Sequence, residues 1–255
     1  MDETRFNSAV ARALLRRREG GGIGMLGEKT LHSALKYYYE PNELSHEQSE
    51  GGYLADIKNE DGIIEVQTGS LGALRNKLAE YIKTVDVTVV HPIIRKKTIV
   101  WIDPRTGRQK RSHSSRCGRL EDAFLQIMHL GALPRSPRLK IALPILDIEE
   151  TRLMDGRDFS RKKGATKLDK IPTALIDEAI LTCAEDYLYF IPQKLLTSPQ
   201  GFTVKMLLCA KDYKDPTARA VLYTLLNMHL LERERHGHEY VYTLTEEGKS
   251  AIINA

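Results

Sequence analysis

A short β-hairpin predicted at residues 52–67 constrains this chain more than any other stretch. Apolar residues lead into an Asp-Gly turn signal at Asp61, and a run rich in β-branched side chains follows. A tight hairpin brings Asp56 close to Glu65, and the two-residue period of a strand places Glu65 and Gln67 on one face. The sequence therefore predicts two neighbouring carboxylates on a half-buried sheet.

These two carboxylates need an explanation, because neighbouring acids repel each other and lose hydration when they are half buried. A divalent cation such as magnesium offsets both effects, since hard cations take carboxylate oxygens, amide oxygens and backbone carbonyls. The alternative is that Asp56 closes its strand beside the turn and that Glu65 is solvated on an open sheet face. An isolated match to so short a pattern favours that alternative.

A helix predicted at residues 27–39 adds a third acid upstream. Leu31, Leu35 and Tyr38 recur with a period near 3.6 and form an apolar stripe. Glu28 lies three residues before Leu31, so its side chain either favours the helix dipole or is directed at the sheet that carries the hairpin acids. The polar residues 41–51 predict a loop over this site.

The order of these features resembles the PD-(D/E)XK nuclease superfamily, whose fold is restriction-endonuclease-like. The family pattern is a helix bearing a Glu, a hairpin with an Asp, Glu-x-Lys on the second strand, and then a helix and another strand. Here Glu28, Asp56 and the Glu-Val-Gln sequence at 65–67 match it, and a helix predicted at 70–84 and a strand predicted at 85–91 follow. The resemblance covers roughly residues 20–95.

The resemblance implies a magnesium- or manganese-dependent endonuclease that hydrolyses phosphodiester bonds. In such an enzyme Asp56, Glu65, Glu28 and the carbonyl of Val66 would hold the metal, and Gln67 would orient the attacking water. Gln67 stands where the family usually has Lys, although some restriction enzymes of the superfamily carry Glu or Gln there and still cleave. The change removes a cation from the expected site.

Residues 95–119 have a different character, because nine of them are basic and only Asp103 is acidic. That is a local charge of +8 in a chain whose net charge is +4. The segment predicts two strands, at 97–102 and 108–114, around a turn. The basic residues are Arg95, Lys96, Lys97, Arg105, Arg108, Lys110, Arg111, Arg116 and Arg119.

Such concentrated positive charge fits the phosphate backbone of a nucleic acid, and the alternative is a solvated basic face with no partner. Arg75 and Lys77, on the helix predicted at 70–84, are further candidates for DNA contact. The residues give no base-specific code, because the pose of the hairpin on DNA is not defined by sequence.

The C-terminal part resembles a winged helix-turn-helix domain over roughly residues 171–255. A helix is predicted at 171–181, Asp215-Pro216 signals the start of another, and two strands with a closing helix follow. Lys214 and Arg219, with two arginines of the second hairpin, are the candidates for DNA contact. Winged helices bind DNA through the recognition helix, but many serve only protein contacts or dimerisation.

The predicted fold class is therefore α/β, with a mixed sheet flanked by helices in a restriction-endonuclease-like core and a small winged-helix domain after it. We expect a nuclease-like domain at 1–165 and a winged-helix domain at 171–255, with polar residues 149–170 as a linker or basic loop between them.

The composition fits a soluble protein, with 42% hydrophobic and 28% charged residues. No apolar run is long enough to span a bilayer, and no signal peptide is present, so we expect a cytoplasmic protein without a membrane partner. The three scattered cysteines argue against a disulfide framework and against a cysteine-based zinc site.

The sequence thus predicts a metal-dependent DNA endonuclease, with DNA favoured over RNA by the two resemblances. Cleavage of both strands calls for a homodimer. One alternative is a DNA-binding regulator or structural subunit whose nuclease-like domain has lost activity, which the glutamine at position 67 supports. Another is a protein-interaction module of a larger assembly, with little affinity for nucleic acid.

Overall fold

The computed structural model describes residues 2–19, 29–156 and 164–253, and it shows an α/β architecture in which helices flank a large mixed sheet, as predicted. The α-helices of this part of the chain are α1 (Glu3–Glu19), α2 (Thr30–Tyr39), α3 (Arg75–Tyr81), α4 (Phe124–Ile127), α5 (Ala184–Leu188), α6 (Gln193–Leu196), α7 (Val204–Ala210), α8 (Asp215–Asn227) and α9 (Glu246–Ile253). The strands are β1 (His46–Glu50), β2 (Tyr53–Asn59), β3 (Gly62–Val66), β4 (Val87–Val90), β5 (Ile93–Ile102), β6 (Gln109–His113), β7 (Leu139–Leu153), β8 (Thr166–Leu181), β9 (Leu231–His236) and β10 (Glu239–Leu244).

Within the described residues, the large sheet contains eight strands in the order β1-β2-β3-β4-β7-β5-β6, and β8 pairs with β7 outside this path. Strands β1, β2 and β3 are antiparallel neighbours, and β5 and β6 form a second antiparallel hairpin. Strand β5 runs parallel to β7, which makes the sheet mixed. Strands β9 and β10 form a separate two-stranded antiparallel sheet.

The chain divides into two compact units, each built from separate stretches of sequence. The first unit comprises Met1–Thr68, Val90–Leu120 and Leu143–Ala179. The second comprises Gly69–Val89, Glu121–Ala142 and Ile180–Ala255. The assignment of a nuclease-like and a winged-helix domain to consecutive parts of the chain stays a prediction.

Helices α1 and α2 of the first unit pack through small side chains. Ala9 and Ala13 of α1 form a buried cluster with Ala34 and Tyr37 of α2. Alanine at three of these four positions lets the two helix backbones approach closely. This contact supports α2, which carries side chains of the candidate site on its other face.

The helix predicted at residues 171–181 is wrong, because residues 166–181 form strand β8 against β7. Pro172 has no backbone N–H to donate within a helix, while Thr173 and Ile176 are β-branched and favour strands. Pairing with β7 therefore outweighs an apparent helical period. The predicted linker is also partly ordered as strand, and residues 157–163 within it lie outside the described residues.

The loop predicted over the site at residues 41–51 contains strand β1 instead. Its residues are polar because β1 lies at the edge of the sheet, where β2 is its one pairing strand in the described part of the chain. The first hairpin therefore belongs to a three-stranded meander. Of the two acids on β1, Glu47 contacts a residue of α2.

The second unit contains α7 and α8, followed by the β9–β10 hairpin and α9. Helix α8 begins at Asp215, as the Asp215-Pro216 signal predicts, and the two predicted strands and closing helix follow it. Phe202, just before α7, exchanges backbone hydrogen bonds with Tyr242 of β10, at N···O distances of 3.0 and 2.8 Å. The first helix of the predicted winged-helix domain, at 171–181, is replaced by strand β8. The winged-helix identity of the rest of this region stays a prediction.

Candidate functional site

The β2–β3 hairpin holds Asp56 and Glu65 side by side. The register pairs Ile57 with Ile64, so the next pair outward is Asp56 with Glu65. The Asp56 amide donates to Glu65 Oε1 at 3.3 Å, and the Val66 amide donates to Asp56 Oδ2 at 2.9 Å. Each carboxylate therefore accepts a backbone N–H from the opposite strand.

The two acids differ in exposure. Glu65 is only 1% exposed, so it is not solvated on an open sheet face. The Asp56 side chain is 23% exposed and lies at the solvent side of the pair. A buried and a half-buried carboxylate at adjacent positions place four carboxylate oxygens close together, where they could coordinate a cation.

Helix α2 adds His32 and Lys36, one helical turn apart, to the same place. His32 Nε2 lies 3.3 Å from Asp56 Oδ2. The Lys36 side chain is 2% exposed, and its Nζ lies 3.2 Å from Glu47 Oε1 of β1. Helix α2 therefore presents an imidazole and a buried ammonium to the hairpin.

These neighbours keep Asp56 ionised. Burial raises the pKa of the Asp56 carboxyl. The contact with His32, the hydrogen bond from the Val66 amide and the charge of Lys36 lower it by more than burial raises it, so the pKa lies below its ordinary value. At neutral pH Asp56 is therefore a carboxylate, the form that a metal ion requires.

Gln67 follows β3 and is fixed through its backbone. Its amide donates to Val90 O at 2.9 Å, and its carbonyl lies 2.7 Å from His91 Nδ1. Burial lowers the pKa of the His91 imidazole, and the hydrogen bond to Gln67 only partly opposes this. His91 is therefore neutral at pH 7, with Nδ1 as the donor to the carbonyl.

The donor chemistry of the site fits a hard divalent cation, since Asp56 and Glu65 offer carboxylate oxygens and Val66 offers a backbone carbonyl. Among the described residues, no group of three or more His, Cys, Asp or Glu side chains is placed to hold a metal ion. The third predicted acid, Glu28, lies outside the described residues. The hairpin thus places two carboxylates side by side.

The predicted basic surface lies on the β5–β6 hairpin, and acids of β7 neutralise part of it. Asp147 accepts two hydrogen bonds from the Arg95 guanidinium, at 2.9 and 2.7 Å. Lys97 Nζ lies 3.5 Å from Glu150 Oε2. Three of the nine basic residues of the segment pair with β7 in this way: Arg95 with Asp147, Lys97 with Glu150, and Arg111 with Glu149.

The other basic residues of the segment are exposed around the turn and the hairpin edge. Asp103 shapes that turn by accepting the amides of Arg105 at 2.8 Å and Thr106 at 3.4 Å, and these contacts lower the pKa of Asp103. The exposed set is Lys96, Arg105, Arg108, Lys110, Arg116 and Arg119. This set, called here the hairpin cations, forms a narrower positive surface than the sequence predicts.

The remaining candidate DNA contacts belong to the second unit. Arg219 donates to Asp215 Oδ2 at 2.7 Å on α8, and Lys77 lies over the ring of Tyr81 at 5.7 Å from its centroid. Lys214 is exposed at the start of α8, and Arg75 is exposed on α3. The exposed face of α8 therefore has little net positive charge.

Sequence reasoning missed four residues of the site: His32, Lys36, Glu47 and His91. His32 and Lys36 have a signal in the sequence, since their spacing puts them on one face of the predicted helix. Glu47 and His91 have none, because only the assembled sheet brings them to the site: Glu47 lies on the edge strand β1, and His91 directly follows β4.

The family described as a domain of unknown function (DUF8091) matches residues 29–182, more than half of the chain. The chain belongs to the DUF8091 family. The match contains α2, the hairpin with Asp56 and Glu65, and the β5–β8 segment, so both candidate surfaces of the first unit lie within the DUF8091 region.

One relative is an uncharacterized protein of Treponema pallidum (strain Nichols), which is 28% identical to this chain over 149 residues. The aligned part is 58% of this DUF8091 chain and 59% of the relative, so the chain spans less than two thirds of that protein's length. No solved structure matches the chain. The described part of the chain contains no helix with the length and apolarity needed to cross a membrane.

Proposed function

We propose that this DUF8091 protein is a metal-dependent endonuclease that hydrolyses phosphodiester bonds of DNA. The observation that carries the proposal is the pair of acids Asp56 and Glu65, held on adjacent strands with Glu65 buried and Asp56 ionised. The order α2, three-stranded meander, α3 and β4 follows the pattern of the PD-(D/E)XK resemblance, which also supports it.

In this proposal Asp56, Glu65 and the Val66 carbonyl hold magnesium or manganese, with Glu28 as a further ligand. The bound ion would polarise a phosphoryl oxygen and lower the pKa of the water that attacks phosphorus. Gln67 orients that water through its side-chain amide. His32 Nε2 contacts the Asp56 carboxylate, and the charge of Lys36 acts on the same carboxylate, which replaces part of the charge that a lysine at position 67 would supply.

DNA is held by the hairpin cations of the first unit, which displace counterions from the phosphate backbone. The second unit contributes a winged-helix domain for DNA binding or dimerisation. Cleavage of both strands of a duplex needs two active sites, so the proposed active form is a homodimer. We place the protein in the cytoplasm, where its three exposed free cysteines would stay reduced.

The competing function is a DNA-binding regulator with an inactive nuclease-like domain. Two observations favour it. Gln67 replaces the usual lysine, and the carboxylates are already satisfied by backbone amides and His32 without a metal ion. This protein would bind DNA through the same hairpin cations and cleave nothing.

Cleavage of supercoiled plasmid, duplex oligonucleotides and single strands separates the two functions. Each substrate would be incubated with magnesium, manganese or EDTA, using wild type, Glu65→Gln and Glu60→Gln. Glutamine keeps an acceptor for the Asp56 amide while it removes the charge, and Glu60 is an exposed acid in the turn of the same hairpin. We expect metal-dependent cleavage by wild type and Glu60→Gln and a loss of at least about 100-fold in Glu65→Gln. Binding without cleavage by all three would reject the nuclease and favour the regulator.

A further inference from the structure

A second charged site surrounds Glu150 on strand β7. The Glu150 side chain is 0% exposed. Lys97 of β5 lies 3.5 Å from Glu150 Oε2, and the Arg152 guanidinium pairs with Glu150 Oε1. The charge of Glu150 also acts on Lys170 of β8. We call Glu150, Lys97, Arg152 and Lys170 the Glu150 cluster.

The Glu150 cluster carries excess positive charge. Within the described residues, one carboxylate serves three half-buried cations, and the next acid on β8, Asp169, is engaged by Arg17 and Thr30. Burial raises the pKa of Glu150, but Arg152 and Lys97 lower it by more than burial raises it. Glu150 is therefore ionised and contributes a single negative charge.

Lys170 shows the imbalance most directly. Burial lowers the pKa of its ammonium, the charge of Glu150 opposes this, and the charges of Lys97 and Lys29 lower the pKa again. Lys170 forms no ion pair with any residue in the described part of the chain. Mutual repulsion of half-buried ammonium groups is unfavourable unless an anion joins them.

Arg152 is held in place for such an anion. Its guanidinium lies over the ring of Trp101, 5.1 Å from the centroid, and the Trp101 indole donates to Ser112 Oγ at 2.9 Å. A fixed guanidinium loses little freedom on binding and suits the bidentate geometry of a phosphate.

We propose that Lys97, Arg152 and Lys170 bind a phosphate group, with Lys29 at the margin of the site. The phosphate is either a backbone phosphate of a nucleic-acid strand or that of a small molecule. In the first case the inference rests on the proposed function, because it adds a strand-holding site on β7 and β8 to the hairpin cations. Arg152, Lys170 and Lys29 lie outside the basic segment that the sequence singles out.

The test is DNA binding by fluorescence anisotropy in EDTA over a series of salt concentrations, with duplex and single-stranded oligonucleotides. Wild type is compared with Lys170→Gln, the charge-preserving Lys170→Arg, and Lys140→Gln as control, since Lys140 is an exposed lysine at the other end of β7. A lost phosphate contact lowers the slope of log affinity against log salt by about 0.9 on duplex DNA. We expect that decrease, with affinity reduced about tenfold near 0.1 M salt, only in Lys170→Gln.

Thermal unfolding of each variant in phosphate and in chloride of equal ionic strength distinguishes the two sources. If no nucleic acid binds, stabilisation by phosphate that Lys170→Gln loses would support a small-molecule phosphate. An unchanged salt slope in Lys170→Gln together with no phosphate-specific stabilisation would overturn the inference. The binding assay contains EDTA, so its result does not depend on a metal ion. DNA binding that requires Lys170, together with no metal-dependent cleavage in the nuclease assay, would reject the proposed nuclease and leave the phosphate site standing.

Discussion

At the scale of single residues, the ionisation of Asp56 is set by its neighbours rather than by solvent. Burial alone would favour the neutral acid, and His32, the Val66 amide and Lys36 reverse that preference. Because the folded-state pKa of Asp56 lies below its ordinary value, its contribution to stability is present above that ordinary value. The contribution is lost as the pH falls through the folded-state pKa.

Replacement of the buried lysine tests this balance. In Lys36→Met the apolar stem is kept and the charge is removed, so we expect the pKa of Asp56 to rise. The measurement is a carboxyl-carbon NMR titration of Asp56. Lys58→Met on β2 is the control, since its ammonium pairs with Glu50. Loss of the Lys36–Glu47 pair should destabilise the fold by less than about 1 kcal/mol, because the Glu47 side chain is 53% exposed. A pKa of Asp56 that stays unchanged in Lys36→Met would contradict this account of the site.

His91 makes a separate prediction about acid sensitivity. Its folded-state pKa is lowered from 6.5 by burial, so the unfolded chain binds this proton more readily. The contribution of His91 to stability is therefore full above pH 6.5 and decreases as the pH falls, with a slope of at most about 1.4 kcal/mol per pH unit. Urea unfolding of wild type and His91→Gln at pH 7.5 and 5.5, values chosen to bracket roughly the ordinary imidazole pKa, measures it. An equal loss of stability in both proteins would show that other groups cause the acid sensitivity.

At the scale of elements, the sequence predicts those parts of the site that rest on local patterns. The hairpin follows from an Asp-Gly turn between β-forming runs, and α2 follows from its 3.6-residue period. Strand β1 could not be predicted, because its polar residues are explained only by its place at the sheet edge. The sequence predicts a helix where strand β8 lies, because pairing with β7 is a tertiary effect that local spacing does not contain.

The junction before α7 in the second unit depends on Gly201. Its φ is +70°, and an added Cβ would lie 2.6 Å from the Tyr242 carbonyl oxygen. We expect Gly201→Ala to lower the free energy of unfolding by about 2–4 kcal/mol, from backbone strain together with this clash.

Gly237 in the β9–β10 turn provides the matched control for that experiment. It has a similar φ of +63°, but an added Cβ would meet nothing within 4 Å. Gly237→Ala should therefore cost only about 1–2 kcal/mol, from strain alone. Equal destabilisation of the two variants in urea unfolding would show that the close approach of Gly201 to β10 is unimportant.

At the scale of the whole molecule, the distribution of charge could be predicted only in part. The basic segment is visible in the sequence, but its partners Asp147, Glu149 and Glu150 lie on a strand far along the chain. Folding therefore pairs the basic residues on one side of the hairpin with acids of β7, and it leaves the basic residues at the turn exposed. The same folding gathers the Glu150 cluster, which no stretch of sequence shows.

This distribution predicts unequal effects of arginine substitutions on DNA binding. Arg108 is exposed near the turn, whereas Arg111 lies 3.2 Å from Glu149 Oε2. We expect Arg108→Gln to lower the salt slope of binding by about 0.9 on duplex DNA, and Arg111→Gln to lower it less. Anisotropy titrations of both variants measure the slopes. An equal or larger effect of Arg111→Gln would show that its ion pair opens when DNA binds.

The most direct test of the central claim, that Asp56 and Glu65 hold a divalent metal, is manganese binding followed by electron paramagnetic resonance. Manganese would be titrated separately with wild type, Glu65→Gln and Glu60→Gln, and the manganese that stays free would be measured. We expect stoichiometric binding by wild type and Glu60→Gln, and affinity at least about tenfold weaker in Glu65→Gln. Equal binding by all three proteins, or none by wild type, would contradict it.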